Sequence, residues 1–477
     1  MVESSSSTLE NGGILDKNKP IFNIALDIGT SKVCALISTM DPTNTKLEVV
    51  GLGIAESDGL QRGVITNIEK TANAISNAME KAMQQSNLRS NKVIVNLSGD
   101  YIKSEMSSHV VSISNAYKEI RKEDVDRLIN EARNMQIQPD RRIIHLFPQD
   151  YTINGINTVS DPIGMSGVRM EAKIHVVTAP LSAIENLYRC AERAGVEITD
   201  IVLAPYASSL AILEEDEKEV GVAVIDIGAG TTEIAVFYEN AFRFSEIIAF
   251  GGNQLTQDIR RVLGVVKTNA EKLKKDYGHC YIETLHKNEE LQVQVPGGNA
   301  PVVIDRKYLT QILGARVTEI LLFANLALEQ SGYKNNLKSG VVLTGGTSLL
   351  PGIEELAQRI FGLPVRLGLP LKVSSFGLAP EVINPVFSVA VGLAIYGFQT
   401  FAEQNKQQKE RIQPKFEQLE KEIEKEFSSS KEDKIEEAKK EDLKKEEQNI
   451  EEESEVIDLD SKKTKIAEFF KNIFDKF

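Results

Sequence analysis

The sequence predicts an α/β protein of two similar lobes, followed by an acidic linker and a short amphipathic helix at its C-terminus. Three observations lead to this fold class. Strand-like and helix-like segments alternate through the first 400 residues, one strand–glycine pattern occurs twice, and the composition changes sharply near residue 400. The 477 residues are 42% hydrophobic and 26% charged, so the chain can form a sizeable core and about two to four domains.

Composition excludes several classes of protein. The net charge of −14 argues against non-specific nucleic-acid binding, which needs a basic surface. The three cysteines, Cys34, Cys190 and Cys280, are far apart, so we expect neither a disulfide framework nor a zinc site. Residues 1–20 contain no apolar run and nowhere are 18 apolar residues consecutive, so we expect neither a secretory signal nor a membrane-spanning helix.

The first lobe opens with three predicted strands and a helix. Runs of β-branched and apolar residues predict strands over Ile21–Asp27, Val33–Ser38 and Leu47–Ala55. Apolar residues then recur at helical spacing over Ile68–Ala82, which predicts a helix with one buried face.

The same order of elements begins again near residue 220. Strands are predicted over Gly221–Asp226, Glu233–Tyr238 and Ala241–Ile248. The residues Leu-Asp-Ile-Gly-Thr-Ser at 26–31 are matched by Ile-Asp-Ile-Gly-Ala-Gly at 225–230. A repeat of about 200 residues is too long for a solenoid, so it indicates two related lobes.

Each Asp-Ile-Gly turn has the chemistry of a phosphate loop. Glycine permits a tight turn, and the small residues after it let backbone N–H groups approach an anion. The following hydroxyls, on Thr30, Ser31, Thr231 and Thr232, can donate as well. Asp27 and Asp226 end the two strands, where two carboxylates suffice to hold a hydrated Mg²⁺. An Asp-Gly pair alone also marks an ordinary hairpin, but the matched pair favours phosphate binding.

Two further segments could complete a nucleotide site. Val341–Ser348 predicts a strand, a Gly345-Gly346 turn and a helix start, where a base or sugar could lie against the backbone. Many α/β crossovers share this pattern. Glu271 and Lys274 share one face of a predicted helix, and a solvated ion pair is the simpler interpretation of those two residues alone.

The last 17 residues predict a membrane-surface helix. At 100° per residue, the apolar side chains fall on one face about 140° wide, and Lys465 flanks its edge. These side chains are Ile466, Phe469, Phe470, Ile473, Phe474 and Phe477. The preceding residues 401–460 carry 21 acidic and 12 basic residues and are expected to be disordered. A helix isolated beyond such a linker favours membrane binding over docking to a partner.

Together, these motifs resemble the actin–Hsp70–sugar kinase superfamily over about residues 20–400. Within it, the segments 27–32, 59–65 and 203–209, with the sequences DIGTSK, GLQRGVI and LAPYASS, resemble the FtsA family of bacterial cell-division proteins. The resemblance implies an actin-like two-lobed ATPase fold with an inserted α+β subdomain.

The resemblance also implies a division of the chain into domains. The first lobe comprises 21–91, 176–215 and 376–400, interrupted by the inserted subdomain 92–175. The second lobe comprises 216–251 and 311–375, interrupted by a small FtsZ-binding subdomain, 252–310. A disordered N-terminus, 1–20, precedes the lobes, and the linker 401–461 and the amphipathic helix 462–477 follow them.

The function implied is that of an ATP-binding, actin-like protein with weak or no ATPase activity. It would anchor filaments of FtsZ at the inner face of the cytoplasmic membrane at the division site, bind anionic lipids, polymerise with itself and recruit later division proteins. Efficient hydrolysis is not expected, because Ala204 stands where many superfamily ATPases have a glutamine or glutamate that orients water.

The resemblance assigns roles to individual residues. The phosphates of ATP would contact Gly29, Thr30, Ser31 and Lys32 from one lobe and Gly228, Ala229, Gly230, Thr231 and Thr232 from the other. Glu271 and Lys274 would contact the ribose or base, Gly345, Gly346 and Thr347 would flank the adenosine, and Asp27 and Asp226 would position Mg²⁺ through water. Arg306 would lie near the pocket for the FtsZ C-terminal tail, although a surface arginine is nearly as good an interpretation.

Two alternatives stay open. A small-molecule kinase of the superfamily would need a catalytic carboxylate beside a substrate pocket and would have no use for the tail. An actin-like component of a pilus assembly platform would lack the FtsZ pocket and the terminal helix.

Overall fold

The computed structural model describes residues 21–40, 46–115, 117–293, 295, 301–404 and 406. It separates a unit of residues Phe22–Phe398 from a second unit made of Met1–Ile21 and Gln399–Phe477. The predicted disordered N-terminus, nearly all of the acidic linker and the whole amphipathic tail lie outside the described residues.

Strands interspersed with helices make up most of the described chain. The strands are β1 Phe22–Ile28, β2 Lys32–Met40, β3 Leu47–Glu56, β4 Leu60–Gln61, β5 Val64–Ile65, β6 Lys92–Leu97, β7 Lys103–Ser112, β8 Arg141–Ile153, β9 Asn157–Val159, β10 Arg169–Pro180, β11 Glu197–Leu203, β12 Val222–Ile227, β13 Thr232–Tyr238, β14 Ala241–Ile248, β15 Glu290–Val293, β16 Val302–Asp305, β17 Val341–Thr344, β18 Val365–Leu367 and β19 Val373–Gly377. The helices are α1 Ile68–Ser86, α2 Lys122–Arg133, α3 Leu181–Arg193, α4 Ala204–Ile212, α5 Glu215–Val220, α6 Gly252–Leu263, α7 Lys267–Tyr277, α8 Arg306–Gln330, α9 Ile353–Phe361, α10 Ala379–Val382 and α11, residues 388–404.

The first lobe is a mixed sheet in the order β11-β6-β1-β2-β3-β19. β1, β2 and β3 form an antiparallel meander, and β6 lies parallel to β1 on its other side. Helix α1 begins where the Asn67 side chain accepts a hydrogen bond from the Lys70 N–H, a normal N-cap. Its Ile75 and Met79 are buried in the core of this lobe, which confirms the predicted apolar face.

The second lobe repeats that arrangement in the order β14-β13-β12-β17-β18. β12, β13 and β14 form the meander, and β17 lies parallel to β12 as β6 does to β1. The predicted duplication is therefore confirmed. All six residues of β12 are buried, because neighbouring strands flank it and helices cover the sheet. This explains why every residue of the strand except Asp226 is apolar.

The inserted subdomain is an antiparallel sheet, β7-β10-β8-β9, covered by α2. Leu128 and Ala132 of α2 are buried in its core beside Met170 and Ile174 of β10. This is the α+β character expected of the insertion.

The structure moves three of the expected domain boundaries. β6 pairs with β1 in the first lobe, so the insertion begins after Leu97 and not at Lys92. α8 is one continuous helix, so no boundary falls at residue 310. β19 pairs with β3, so the return to the first lobe precedes Val373. In the first and third cases, pairing between strands distant in sequence decides where a lobe ends.

Two helices, Arg306–Gln330 and Pro385–Gln404, are long and apolar enough to cross a membrane by length and composition alone. The expectation of no such helix counted only consecutive apolar residues and overlooked both. Part of the apolar surface of both helices packs in the core of the described unit. Leu313 and Val317 belong to the core of the second lobe, and Leu393 is fully buried. Core packing therefore accounts for only part of the hydropathy of Arg306–Gln330, since Leu322 and Leu326 are exposed.

Candidate functional site: a cleft between two phosphate loops

The two Asp-Ile-Gly turns lie at corresponding ends of the central strands, β1 and β12. In the first turn the Gly29 N–H donates to Lys32 O at 2.9 Å, and in the second the Gly228 N–H donates to Thr231 O at 2.9 Å. Both turns face a cleft of about 560 Å³. This volume falls in the range of small-molecule sites.

Nearly all the predicted cofactor and metal residues line this cleft. They are Asp27, Gly29, Thr30, Ser31, Lys32, Asp226, Gly228, Ala229, Gly230, Thr231, Glu271, Lys274, Gly345, Gly346 and Thr347. Thr232 does not line it. Its hydroxyl donates to Phe250 O at 2.8 Å, and the residue is fully buried. Alternation along β13 places Thr231 and Thr232 on opposite faces, which corrects the expectation for Thr232.

The first loop holds a paired charge. The Lys32 Nζ lies 2.9 Å from Asp27 Oδ2, and the Asn96 amide donates to Asp27 Oδ1 at 2.9 Å. Burial is the largest single influence and lowers the pKa of Lys32, but the charge of Asp27, its hydrogen bond and the other nearby acidic groups together raise the pKa above its ordinary value. Lys32 is therefore a fixed cation at the phosphate loop. Asp27 already has partners on both oxygens.

Asp226 in the second loop is different. Its Oδ2 is buried and has no hydrogen-bond partner among the described residues. Burial, and then the nearby charge of Asp27, raise the pKa of Asp226 to about 7. A carboxylate oxygen without a partner is costly in a folded protein. It suits a hydrated cation that brings both charge and donors.

No group of three metal-ligating side chains occurs in the described part of the chain. Mg²⁺ bound through water and phosphate oxygens needs only one or two carboxylates, and Asp226 Oδ2 is a buried acceptor without a partner among the described residues. The residues present therefore fit the ion, with Asp226 the better placed of the two predicted carboxylates.

The glycine turn after β17 closes the cleft on the second lobe. Gly345 has a φ of 82°, and a Cβ there would lie 2.3 Å from Asp226 Oδ1, so only glycine fits. Gly346 is open, since a Cβ would meet only Val386 Cγ2 at 3.7 Å. The Thr347 hydroxyl donates to Gly228 O at 3.0 Å, which joins this turn to the second phosphate loop.

Glu271 and Lys274 also belong to the cleft and not to the solvent. Lys274 Nζ lies 2.7 Å from Glu271 Oε2. It also donates to Gly252 O at 3.1 Å and to Thr256 Oγ1 at 2.9 Å. The predicted shared helix face is confirmed, but burial of Lys274 makes the solvated interpretation wrong. The pair fixes α7 against α6 at one end of the cleft.

Sequence reasoning missed several polar residues of the cleft, among them Asn96, Ser98 and Glu233. Ser98 Oγ donates to Glu233 Oε1, which also accepts from Thr231 Oγ1 at 3.2 Å. Burial, then the charge of Asp226, raise the pKa of Glu233 to about 8. Strand alternation from Thr231 could have pointed to Glu233. No local signal marks Asn96 or Ser98, because only the pairing of β6 with β1 brings them to the cleft.

The structure places two further predicted residues, one inside the cleft and one outside it. Ala204 begins α4 and lines the cleft, where its methyl group can orient no water. Arg306 begins α8 and does not line the cleft. Its Nη1 lies 3.0 Å from Glu289 Oε1, and its Nε donates to Tyr277 O at 3.1 Å.

Comparison with known proteins identifies the family. Residues 223–392 match the model of the cell division protein FtsA, and residues 99–178 match the model of the SHS2 domain inserted in FtsA. The second match confirms the inserted subdomain.

Curated relatives agree over most of their length. The chain is 40% identical over 376 residues to the cell division protein FtsA of Pseudomonas aeruginosa, covering 79% of this chain and 89% of the relative. The FtsA proteins of Neisseria meningitidis and Escherichia coli are 41% and 34% identical, with 88% and 90% of each relative covered and 77% and 78% of this chain.

Solved structures give the fold independently. A type IV pilus biogenesis complex of PilM and PilN matches with a TM-score of 0.57 at 17% identity, over 80% of this chain and 99% of that one. MreB5 of Spiroplasma citri bound to ADP matches with a TM-score of 0.50 at 16% identity, over 81% and 98%. These likenesses show an actin-like ATPase fold. The curated relatives and the inserted domain establish that this chain belongs to the FtsA family of cell-division proteins.

Proposed function

We propose that the chain binds ATP with Mg²⁺ in the cleft and anchors FtsZ filaments to the inner face of the cytoplasmic membrane during division. The observation that carries the nucleotide site is the pair of phosphate loops facing one cleft. Lys32 is a fixed cation there, and Asp226 Oδ2 has no partner among the described residues. ATP would supply the phosphates that these loops hold, and Mg²⁺ would neutralise their charge.

The membrane role rests on the sequence of the tail. Its apolar face, the lysines around it and the acidic linker before it are typical of an interfacial helix. The linker, repelled by the same anionic lipid, would keep the body away from the surface and leave its partner site open. Self-association into an actin-like filament would add avidity to a weak individual anchor.

The alternatives receive less support. The likeness to the pilus protein, at 17% identity, extends to the fold alone. The relative that is 40% identical is a division protein, and the alignment covers 89% of its length. The relatives in Neisseria meningitidis and Escherichia coli are division proteins too. A small-molecule kinase would have no use for the amphipathic tail.

The tether is tested by recruitment of purified FtsZ filaments to anionic vesicles. With this protein and ATP present, FtsZ is expected to float with the vesicles; without the protein, or with a chain truncated after Ser461, it is expected to stay in solution. FtsZ that floats equally with the truncated chain would refute the tail as the anchor. Transfer of phosphate from ATP to a small metabolite would instead support a kinase.

Two neighbouring threonines test the phosphate site. Thr231→Val is expected to weaken binding of a fluorescent ATP analogue about tenfold or more, since it removes a hydroxyl at the cleft that would donate to the charged phosphates. Without nucleotide this hydroxyl donates to Glu233 Oε1 at 3.2 Å. Thr232→Val is the matched control, because its hydroxyl faces Phe250 O. It should leave the affinity within about twofold and cost about 1 kcal/mol of stability. Equal loss of affinity in both variants would contradict the assignment.

Arg306 tests the partner site. Arg306→Glu is expected to abolish binding of the FtsZ C-terminal peptide in a fluorescence anisotropy titration, because a charge-assisted contact worth about 1.5–3 kcal/mol becomes repulsive. Lys307→Glu makes the same charge change one residue along, on an exposed side chain, and should bind the peptide nearly normally.

The intramolecular pair with Glu289 requires a second variant. Arg306→Gln removes the positive charge without placing a second carboxylate beside Glu289, and it should also weaken binding of the FtsZ peptide. ATP affinity serves as the check on folding for all three variants. Unchanged peptide binding by Arg306→Gln and Arg306→Glu would leave Arg306 as a clamp between α8 and Glu289 only.

A further inference from the structure

A second cavity, of about 510 Å³, lies next to the nucleotide cleft. The cavity and the cleft share Thr30, Gly230 and Asn253 in their walls. A Cβ on Gly230 would lie 2.4 Å from Thr30 Oγ1 and 3.0 Å from Arg62 Cα, so the second phosphate loop packs directly against the first loop and against Arg62. The second cavity therefore lies where the two phosphate loops meet, and the proposed ATP site assigns it no role.

The walls of the second cavity are basic, although the whole chain has a net charge of −14. Four basic and two acidic side chains line it. Arg316 and Asp258 neutralise each other, since Arg316 Nε lies 2.6 Å from Asp258 Oδ2. Asp58 pairs with Lys70, which does not line the cavity, at 3.9 Å. The other cations form no ion pair among the described residues and give the cavity a surplus of positive charge; they are Arg62, Arg261 and Lys267.

A buried hydroxyl adds a hydrogen-bond donor to these cations. Ser57 lines the cavity and is 6% exposed, and its Oγ has no hydrogen-bond partner among the described residues. Its backbone N–H donates to Ser31 O at 3.2 Å, which fixes it to the first phosphate loop. A buried polar atom without a partner is uncommon in native proteins. Hydroxyl and guanidinium donors together are the groups that recognise a phosphate oxyanion.

Arg62 occupies a turn position that its conformation disfavours. β4 and β5 form a hairpin joined by Arg62 and Gly63, whose φ angles are 50° and 76°. Positive φ at both loop residues is the pattern of a type I′ turn, which favours asparagine at the first position. An unfavourable conformation persists where the surroundings hold it, often at functional sites. Here the Gly63 N–H donates to Thr30 Oγ1 at 3.1 Å, which holds the turn against the first phosphate loop.

We propose that the second cavity binds a phosphate oxyanion, held by Arg62, Arg261 and Ser57, at a site separate from the nucleotide cleft. The charge of phosphate matches the surplus of positive charge in the walls. Its oxygens are arranged tetrahedrally and can accept from guanidinium and hydroxyl groups at the same time. A carboxylate has only two oxygens, in one plane, and would satisfy fewer of these donors. Phosphate from solution and phosphate cleaved from ATP would bind through the same chemistry.

The test is calorimetric titration of inorganic phosphate into the full-length protein saturated with AMPPNP and Mg²⁺. The analogue fills the nucleotide cleft, including the position of the γ-phosphate, so phosphate that still binds must lie elsewhere. The wild type is expected to bind one phosphate per chain, with an affinity that falls as the salt concentration rises. Sulfate, which is also tetrahedral, should compete with phosphate, and acetate should not.

Two substitutions remove the cationic donors. Arg62→Asn and Arg261→Gln are each expected to weaken phosphate binding about tenfold and to leave the affinity for AMPPNP within about twofold. Arg62→Asn should melt no lower than the wild type, because asparagine suits the turn, so its loss of phosphate cannot come from unfolding. Arg260→Gln is the matched control. Arg260 is the exposed neighbour on α6, donates to Gln257 Oε1 at 3.3 Å and does not line the cavity, so this variant should bind phosphate as the wild type does.

A second measurement identifies the source of the phosphate. ATP is mixed with the wild type and with Arg261→Gln. Phosphate formed is measured after acid quenching, and phosphate in solution is measured with a fluorescent phosphate sensor. Release that lags behind cleavage in the wild type, with a shorter lag in the variant, would show that phosphate from ATP enters the second cavity. No lag, or no hydrolysis, would make solution phosphate the source for the site found by titration.

Three results would overturn the inference and leave the proposed function intact. Phosphate displaced by AMPPNP would belong to the nucleotide cleft. Wild-type phosphate affinity in both Arg62→Asn and Arg261→Gln, or no phosphate binding by the wild type, would leave the second cavity without an anion. Acetate competing as well as sulfate would make it a carboxylate site. If AMPPNP does not bind the wild type, the proposed function is refuted, while phosphate titration of the two arginine variants still decides the second cavity.

Discussion

Asp226→Asn is expected to stabilise the nucleotide-free protein at pH 8 and to remove most of its Mg²⁺-dependent affinity for ATP. The two effects have one cause. Asp226 is buried, its Oδ2 has no partner among the described residues, and burial followed by the charge of Asp27 raises its pKa to about 7. An ionised carboxylate at this point suits a bound cation and destabilises the protein without one.

The direction of the pH dependence follows from the raised pKa. In the unfolded chain an aspartate ionises near pH ~3.9, whereas the folded protein keeps this proton up to about pH 7. Between those values the unfolded state binds fewer protons, so stability from this group falls as pH rises and stays low above pH 7. The asparagine of the Asp226→Asn variant cannot ionise, so the variant does not lose stability at this site as pH rises.

The measurement is thermal unfolding in EDTA at pH 5 and pH 8. The variant should melt higher than the wild type at pH 8 by about 2–4 °C for each kcal/mol recovered, with a smaller difference at pH 5. Asp276→Asn, at an exposed aspartate on α7, should change neither melting nor affinity. A variant that melts lower at pH 8, or that binds ATP with unchanged Mg²⁺ dependence, would refute the role of Asp226.

Phe470→Glu is expected to release the protein from anionic vesicles. The tail carries six large apolar side chains, each worth roughly 1.5–3 kcal/mol if fully buried. Its lysines add up to about 1 kcal/mol each near anionic lipid. A helix of about 15 residues is marginal in water, so these terms must also order the segment. A carboxylate in the middle of the apolar face removes the free energy gained by burying one phenylalanine side chain. It also adds the cost of bringing a negative charge to the apolar part of an anionic membrane.

Asn472→Glu is the matched control for that variant. It introduces the same charge two residues away, about 200° around a helix and therefore on the polar face. Flotation on vesicles containing anionic lipid should recover the wild type and most of Asn472→Glu, but neither Phe470→Glu nor a truncation after Ser461. If all four float equally, the body and not the tail holds the membrane.

Local patterns predicted the elements that frame the cleft. The predicted bounds of β14 match the structure, and α1 begins at the predicted Ile68. The two Asp-Ile-Gly turns form hairpins as expected. Such features depend on residues close in sequence: glycine conformation, apolar periodicity and a capping side chain. A repeated motif could therefore indicate a two-lobed phosphate site before any contact between the lobes was known.

The parts that could not be predicted depend on distant pairing. Asn96 binds Asp27 only because β6 lies beside β1. Arg243 is buried in the second lobe because Asp150 of the inserted subdomain pairs with it at 2.6 Å. Thr232 has a hydroxyl, as the phosphate-loop pattern predicted, but the alternation of side chains along the strand points that hydroxyl away from the cleft.

By itself, the sequence determined the duplicated lobes and their two Asp-Ile-Gly turns, and it predicts phosphate binding and an amphipathic tail, because each of these depends on residues that are neighbours in the chain. Only the tertiary structure decided which polar groups meet in the cleft. It pairs Lys32 with Asp27, leaves Asp226 Oδ2 without a partner among the described residues and holds Glu233 between Ser98 and Thr231. The physical reason is that charge and hydrogen bonding in a buried site depend on distances of a few ångströms between residues that can be far apart in the chain.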